Sequence, residues 1–324
     1  MPNESSGGAG ARGTAPTALP GCAVAVRLLG AAPAGTATHM TSWLLIEQPG
    51  PWPADALDRA LAEAFPAGLP AALTARGLRP LLIRRPGRRP HQPGRRARGA
   101  VFVGSGVPGS RWLERLDGAD LAGADLDAVA AGRPGHGEPV LGPLFLVCTH
   151  GTKDLCCAVL GRPLATALAE AHPDHTWEVS HVGGDRWAGN LLVVPDGFLH
   201  GQLEPAEAKL VAKAAARGEV EPDRLRGRTC AATPWSQYAE IAVRQHTSLR
   251  GLDEVLATGE RPPSPGEAAV PAGGDERVVT VRGGDRHYEV TVRRTSPGRY
   301  AQNRCTGRVG HSGFRTVSIR PLGR

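Results

Sequence analysis

The sequence contains no apolar run long enough to span a bilayer. Its most apolar early stretch, AVAVRLLGAA, is interrupted by Arg27 and falls far short of the roughly 20 consecutive apolar residues that a membrane-spanning helix needs. Residues 1–20 are small and polar and show neither periodicity nor the basic and apolar regions of a signal peptide, so we predict a disordered leader there. These absences predict a soluble, cytoplasmic protein that does not associate with a membrane.

Lysine and aromatic residues are scarce. The 324 residues include three lysines, so arginine supplies nearly all of the net charge of +7, and aromatic residues make up 4% of the chain. The densest basic stretch, residues 79–99, interleaves arginine with proline and glycine and contains no Phe, Tyr or Trp. A nucleic-acid groove needs a basic stripe with aromatic stacking platforms or a recognition helix. The pattern therefore disfavours nucleic-acid binding and indicates a solvated loop or a docking patch for an acidic protein.

Several common catalytic motifs are also missing. The chain has no G-x-S-x-G elbow, no paired carboxylates that would suit glycoside hydrolysis, and no C-x-x-C at the start of a helix. Residues 104–109, GSGVPG, match G-x-G-x-x-G, but Pro108 and the lack of a following helix spoil the geometry that cradles a phosphate. These absences disfavour a glycosidase, a nucleotide-binding enzyme and an ordinary disulfide reductase.

Alternating strand and helix patterns predict an α/β fold, and no internal repeat is evident. After the leader we distinguish three regions. They are an N-terminal αβ region at 21–135, a thioredoxin-like domain at 136–220 to which that region is related, and a C-terminal helix and β-hairpin extension at 221–324. The predicted strands are 42–47, 81–85, 100–104, 144–148, 176–180, 190–195, 198–203 and 314–320, with a hairpin at 276–293. The predicted helices are 53–65, 121–132, 161–172, 205–218 and 236–246. In the middle region the order βαβ–ββα matches a thioredoxin-like core, and Pro163 suits the first turn of its helix.

Half of the cysteines lie in one short segment, LVCTHGTKDLCCAVLGRPLA. Disulfides are rarely structural in the cytoplasm, so clustered cysteines there favour metal binding or redox chemistry. Cys148 and Cys157 have C-x8-C spacing, and the downstream segment SHVGGDRWAGN brings His181 and, after a Gly-Gly turn, Asp185. Two thiolates, an imidazole and a carboxylate make four ligands, enough for zinc or for a two-iron two-sulfur (2Fe–2S) cluster. Alternatively, the cysteines are ordinary core residues and the histidine is structural.

Four segments together resemble the sucrase/ferredoxin-like family: SWLLIEQPGPWPADAL, VCTHGTKDLCCAVLGRPLA, WEVSHVGGDRWAGNLLVVPDGFLHGQL and LRGR at 225–228. The resemblance covers roughly residues 20–250 and implies a thioredoxin-like ferredoxin domain with the pattern C-x8-C followed by H-x-G-G-H. It implies that Cys148 and Cys157 hold the ferric iron of a 2Fe–2S cluster and that His181 is the first histidine ligand of the reducible iron. Asp185 stands where the family has its second histidine.

The resemblance implies one-electron transfer with a redox partner protein, a reductase or an acceptor, and favours an electron carrier over an enzyme. Three outcomes remain open at the fourth position: Asp185 is a ligand, a nearby histidine (His150, His172 or His175) replaces it, or the cluster is lost. Cys156 is interpreted as a core residue. The rival hypothesis is a cluster-free thioredoxin-like protein that uses its thiols for redox chemistry or holds structural zinc. Arg226 and Arg228 either dock a partner or form ion pairs.

Overall fold

The computed structural model describes residues 21–65, 68–87, 99–116, 123–264, 275–295, 301–303, 307–309 and 313–323. The helices of this part of the chain are α1 (Cys22–Leu28), α2 (Ala56–Ala64), α3 (Leu69–Ala75), α4 (Leu126–Ala130), α5 (Leu155–Ala171), α6 (Pro205–Ala215) and α7 (Pro234–Thr247). Its strands are β1 (Ser42–Glu47), β2 (Leu78–Arg84), β3 (Val101–Ser105), β4 (Trp112–Leu116), β5 (Glu138–Pro139), β6 (Leu144–Cys148), β7 (Thr176–Val179), β8 (Leu191–Val194), β9 (Phe198–His200), β10 (Leu225–Arg228), β11 (Val255–Arg261), β12 (Glu276–Gly283), β13 (Arg286–Arg294), β14 (Ala301–Asn303), β15 (Gly307–Val309) and β16 (Phe314–Pro321). The predicted leader and residues 88–98 of the arginine-rich stretch lie outside the described residues.

Two units with the same order of strands form one ten-stranded sheet. The first unit runs β1–α2–α3–β2–β3–β4–α4–β5, and the second runs β6–α5–β7–β8–β9–α6–β10. The strand order across the sheet is β10-β9-β8-β6-β7-β2-β1-β3-β4-β5, so both halves have the same neighbours from the centre outward. In each unit the first two strands are parallel and the other pairs are antiparallel. The chain therefore contains a structural repeat that its sequence does not show, and the predicted α/β fold class is confirmed.

The two units meet at the antiparallel pair of β2 and β7. Ile83 lies opposite Val179, and Arg84 lies opposite Glu178. β2 and β7 overlap only near their carboxyl ends. β1 and β6 run parallel to them, so the loops that follow β1 and β6 meet at the centre of the sheet. Thr152 Oγ1, for example, donates a hydrogen bond of 2.5 Å to the carbonyl oxygen of Trp52.

The central strands are covered on both faces. β6 and β8 are buried along their whole length, which is typical of strands packed on two sides. On one face, Phe145 and Val147 of β6 pack beneath α5 and α6. On the other face, Leu146 belongs to a hydrophobic cluster that also contains Cys148 and Cys157. These two cysteines therefore lie inside the main core.

Helix α5 begins six residues earlier than predicted. The Asp154 carboxylate caps it by accepting a 2.8 Å hydrogen bond from the Cys156 N–H. Cys156 and Cys157 are both buried in the first turn, and this burial together with the cap stabilises helix where the sequence predicted a loop. Pro163 consequently lies inside the helix rather than in its first turn, so that prediction is wrong.

The C-terminal region forms a separate antiparallel sheet in the order β11-β12-β13-β16. Valines of β12 and β13 pack against Trp235 and Val243 of α7, so this sheet has its own core. The hairpin predicted at 276–293 and the last strand predicted at 314–320 are confirmed. None of the described helices is long and apolar enough to cross a membrane.

Candidate metal centre

Cys148, Cys157 and His181 come together at one edge of the second unit. Cys148 ends β6 and Cys157 lies in the first turn of α5. β7 runs parallel to β6, with Val179 paired to Cys148, so His181, two residues beyond Val179, reaches the same edge. The Sγ atoms of the two cysteines and a ring nitrogen of His181 all lie within 4.8 Å of one another. Cys157 Sγ is 3.8 Å from His181 Nδ1.

The protons of this trio are strongly coupled. Hydrogen bonds from Cys157 and His181 hold the pKa of Cys148 well below its usual value. The contact with Cys148 raises the pKa of Cys157, because ionisation would end its hydrogen bond and place a second negative charge beside the first. The same contact raises the pKa of His181. The lowered pKa of Cys148 favours its thiolate, the form of cysteine that binds metals.

The Gly-Gly turn brings Asp185 to a different neighbour. Gly183 and Gly184 have φ angles of +86° and +73°, a backbone region that glycine adopts without strain. The Asp185 carboxylate accepts a hydrogen bond from Cys22, with 3.5 Å between Oδ2 and Sγ. The group of ligand atoms within 4.8 Å comprises the trio and does not include this carboxylate. Asp185 still lies close enough for its negative charge to raise the pKa of His181.

A family model described as sucrase/ferredoxin-like matches residues 33–227, more than half of the chain. The chain belongs to the sucrase/ferredoxin-like family. Its sequence is also similar to "Altered inheritance of mitochondria protein 32" of Meyerozyma guilliermondii, with 27% identity over 101 residues, or 28% of this chain and 36% of that protein. The chain therefore spans about a third of the length of this curated relative. No solved structure matches the chain significantly.

The three histidines considered as substitutes for Asp185 have other contacts in this family member. His150 Nε2 is bonded to the carbonyl oxygen of Pro53, 3.0 Å away. His175 Nδ1 is bonded to Pro143 O at 2.9 Å. The ring of His172 packs on an aromatic side chain, with 5.2 Å between the ring centroids. None of these histidines belongs to the group of ligand atoms around Cys148.

A second group of possible ligands comprises Cys22, Cys156 and Asp154. Each offers a ligand atom, and the three atoms lie within 4.8 Å of one another. Nothing in the residue pattern indicates this contact, because Cys22 lies 134 residues from Cys156 and belongs to α1, a helix that the pattern does not predict. Cys156 was expected to be a core residue, and it is 7% exposed.

Arg226 and Arg228 are both buried, 2% and 1% exposed, which disfavours the alternative that they dock a partner. Arg228 forms the alternative ion pair, with 3.1 Å between its Nε and an oxygen of Glu240. Arg226 instead donates hydrogen bonds to uncharged acceptors, the carbonyl oxygen of Gly183 and Oδ1 of Asn190, at 2.9 and 2.8 Å. One of the two buried cations therefore lies beside the candidate metal centre.

Proposed function

We propose that this family member holds a 2Fe–2S cluster on Cys148, Cys157, His181 and Asp185 and transfers single electrons to or from a redox partner protein. The observation that supports this best is the convergence of two buried thiols and one imidazole from three separate elements. When bound, a cluster of this type accepts one electron and releases it again. A cytoplasmic location is part of the proposal, because thiolates stay reduced there.

The donor set and its surroundings fit such a cluster. Thiolate and imidazole are the ligands of clusters in which histidine replaces two of the cysteines. Cys148 and Cys157 are at most 1% exposed and belong to the main apolar core, whereas His181 is partly exposed. The cysteines would therefore hold the buried side of the group, and His181 would lie on the side from which a partner protein approaches.

Arg226 supports an anionic group at this place. Burial lowers its pKa to about 9, and the charges of Cys148, Cys157 and Asp185 act in the opposite direction. None of the ion pairs between described residues includes Arg226. A buried charge without a counter-ion is strongly unfavourable. With the Asp185 carboxylate as a further anionic ligand, a cluster held by two thiolates would carry the net negative charge that the guanidinium lacks.

Structural zinc is the second candidate for this centre. The 3.8 Å between Cys157 Sγ and His181 Nδ1 is close to the separation of about 3.6 Å expected between sulfur and nitrogen ligands of one tetrahedral zinc ion. Zinc would take the trio and one further ligand, without electron transfer.

Metal analysis of the full chain purified without oxygen separates these candidates. We expect iron and acid-labile sulfide in equal amounts, visible charge-transfer absorption, and a paramagnetic signal after one-electron reduction. Cys148→Ser and Cys157→Ser should each lose most of the iron, because oxygen replaces a thiolate poorly at such a site. Cys230→Ser is the matched control, since Cys230 contacts Gly106 O and belongs to neither ligand group. Zinc without iron, or equal iron in wild type and Cys157→Ser, would overturn the cluster proposal.

A further inference from the structure

Two buried thiols meet a buried carboxylate next to the candidate cluster site. The Sγ atoms of Cys22 and Cys156 are 3.6 Å apart, and an oxygen of Asp154 lies within 4.8 Å of both. Cys22 is the first residue of α1, and Cys156 follows the cap of α5. Two helices that are distant in sequence are thus joined through these side chains.

We propose that Cys22, Cys156 and Asp154 form a second metal site, which binds a thiophilic divalent cation of the zinc type. None of these three ligands is shared with the cluster group, so the site is independent of the proposed electron transfer. Thiolate ligands select such cations over magnesium or calcium, and zinc accepts carboxylate together with sulfur.

The spacing of the donor atoms supports this assignment. Two thiolates on one tetrahedral zinc ion are about 3.8 Å apart, because each Zn–S bond is about 2.3 Å long. The observed separation of 3.6 Å is close to this value, and it is far from the roughly 2 Å of a disulfide bond. Oδ2 of Asp185, 3.5 Å from Cys22 Sγ, lies beside this site but is not one of its three proposed ligands.

The charge balance around the pair points the same way. Asp154 is 7% exposed, and among the described residues no arginine, lysine or histidine forms an ion pair with it or with Asp185. The cap of α5 uses Oδ1 of Asp154 and leaves its second oxygen for another partner. Two carboxylates beside two thiols create a negative potential that a divalent cation would neutralise.

Cobalt(II) titration tests the site in a full chain that carries Cys148→Ser and Cys157→Ser, which removes the two thiol ligands of the cluster group. We expect one equivalent of Co²⁺ to give thiolate-to-cobalt charge-transfer bands that added Zn²⁺ abolishes. Adding Cys22→Ser or Cys156→Ser should weaken binding by at least about tenfold, whereas adding Cys230→Ser should leave it unchanged. Absence of these bands in the folded background variant, or bands that survive Cys22→Ser, would overturn the proposal.

A second measurement applies if the background variant does not fold. It determines the zinc content of the chain in which Cys148 and Cys157 are intact. We expect zinc in addition to any iron, and we expect Cys156→Ser to lose zinc while it retains iron. If both metals disappear in Cys156→Ser but remain in Cys22→Ser, the second site is refuted and Cys156 serves the first one. Thiol titration of the metal-free chain provides a third test. Formation of a Cys22–Cys156 disulfide that added zinc does not prevent would also overturn the proposal.

Discussion

Asp185 stands at the position where the family resemblance implies a second histidine ligand. If its carboxylate binds the reducible iron, Asp185→His should raise the reduction potential, because a neutral ligand replaces an anionic one and the added electron meets less negative charge. The second imidazole should also make the potential depend more steeply on pH. Protein-film voltammetry at several pH values measures both effects.

Asp185→Asn and Asp185→Ala distinguish a ligand from a nearby charge. Asp185→Asn should raise the reduction potential without adding a pH dependence. Asp185→Ala should lose iron or bind a water molecule in place of the carboxylate. Retention of iron in Asp185→Ala, together with an unchanged potential in Asp185→His, would show that the carboxylate serves Cys22 and not the cluster.

The sequence could predict the convergence of Cys148, Cys157 and His181 because all three follow from local rules. Parallel strands of a βαβ unit end at one edge, and the helix between them starts there. The contact of Cys22 with Cys156 depends instead on how an N-terminal helix packs across 134 residues of sequence. The spacing of residues within a motif carries no information about contacts between segments so far apart in the sequence.

At the scale of elements, the turn that follows β7 requires glycine. A Cβ atom on Gly184 would clash with Arg226 Nη2, and the φ angle of +73° is unfavourable for any other residue. We expect Gly184→Ala to lower the free energy of unfolding by about 3 kcal/mol, the sum of backbone strain and overpacking. It should also reduce bound iron. Denaturant unfolding and metal analysis measure the two losses.

Gly218 offers a matched control for this substitution. Its φ angle is +70°, but a Cβ atom there would meet no atom within 4 Å. Gly218→Ala should therefore lower the free energy of unfolding through backbone strain alone, by about 1 kcal/mol, and should keep its iron. Equal losses of stability in both variants would mean that the guanidinium of Arg226 moves aside and does not fix the turn.

His200 at the end of β9 should make the folded state sensitive to acid. Burial lowers its pKa from 6.5 to about 4, and its Nε2 is bonded to the carbonyl oxygen of Glu221 at 2.9 Å. The unfolded chain binds a proton at His200 more readily than the folded chain does. The contribution of neutral His200 to the free energy of unfolding is therefore complete above pH 6.5 and is lost as the pH falls towards 4. A fall in the pKa of His200 from 6.5 to about 4 corresponds to about 3 kcal/mol.

His200→Gln should flatten the fall in stability between pH 6.5 and 4, as followed by urea unfolding at each pH. His287 is exposed, so His287→Gln serves as the control and should follow the wild-type curve. If the wild type and His200→Gln lose the same free energy over this interval, the histidine accepts its proton without unfolding the strand.

Among the elements, β6 and β8 were predicted closely because they are short, continuously apolar runs, as in LFLVC. β10 was missed because its sequence, LRGR, has no such pattern. The start of α5 was missed because Gly161 and Pro163 resemble the beginning of a helix, while the true cap, Asp154, precedes two cysteines of modest helix propensity. Tertiary burial of those cysteines decided the boundary.

At the scale of the whole molecule, the sequence predicts two related αβ units but does not show that they repeat one strand order. The units share strand order, but the residues that follow their first strands differ. QPGPWP follows SWLLIE in the first unit, whereas THGTKD follows LFLVC in the second. A fold tolerates extensive substitution if the apolar pattern and total volume are kept. Topology is therefore conserved between the units where residue identity is not.

The junction between the units predicts how the molecule unfolds. Glu178 is 8% exposed; it accepts hydrogen bonds from Arg84 of the first unit and from Thr149, the residue after Cys148, at 2.7 and 2.8 Å. Glu178→Ala would leave the Arg84 guanidinium, 20% exposed, without its partner. We expect a loss of about 2 kcal/mol, less than for a fully buried pair because Arg84 reaches solvent.

Denaturant unfolding followed by tryptophan fluorescence and by far-ultraviolet circular dichroism tests this prediction. Because one sheet runs through both units, the two signals of the wild type should change together across the ten-stranded part. Glu178→Gln, which keeps an acceptor for Thr149, should lose less stability than Glu178→Ala. Glu219→Ala is the control, since Glu219 pairs with Arg217 at the surface, and it should behave as wild type. Equal effects of Glu178→Ala and Glu219→Ala would show that the junction depends on its backbone pairing and not on this ion pair.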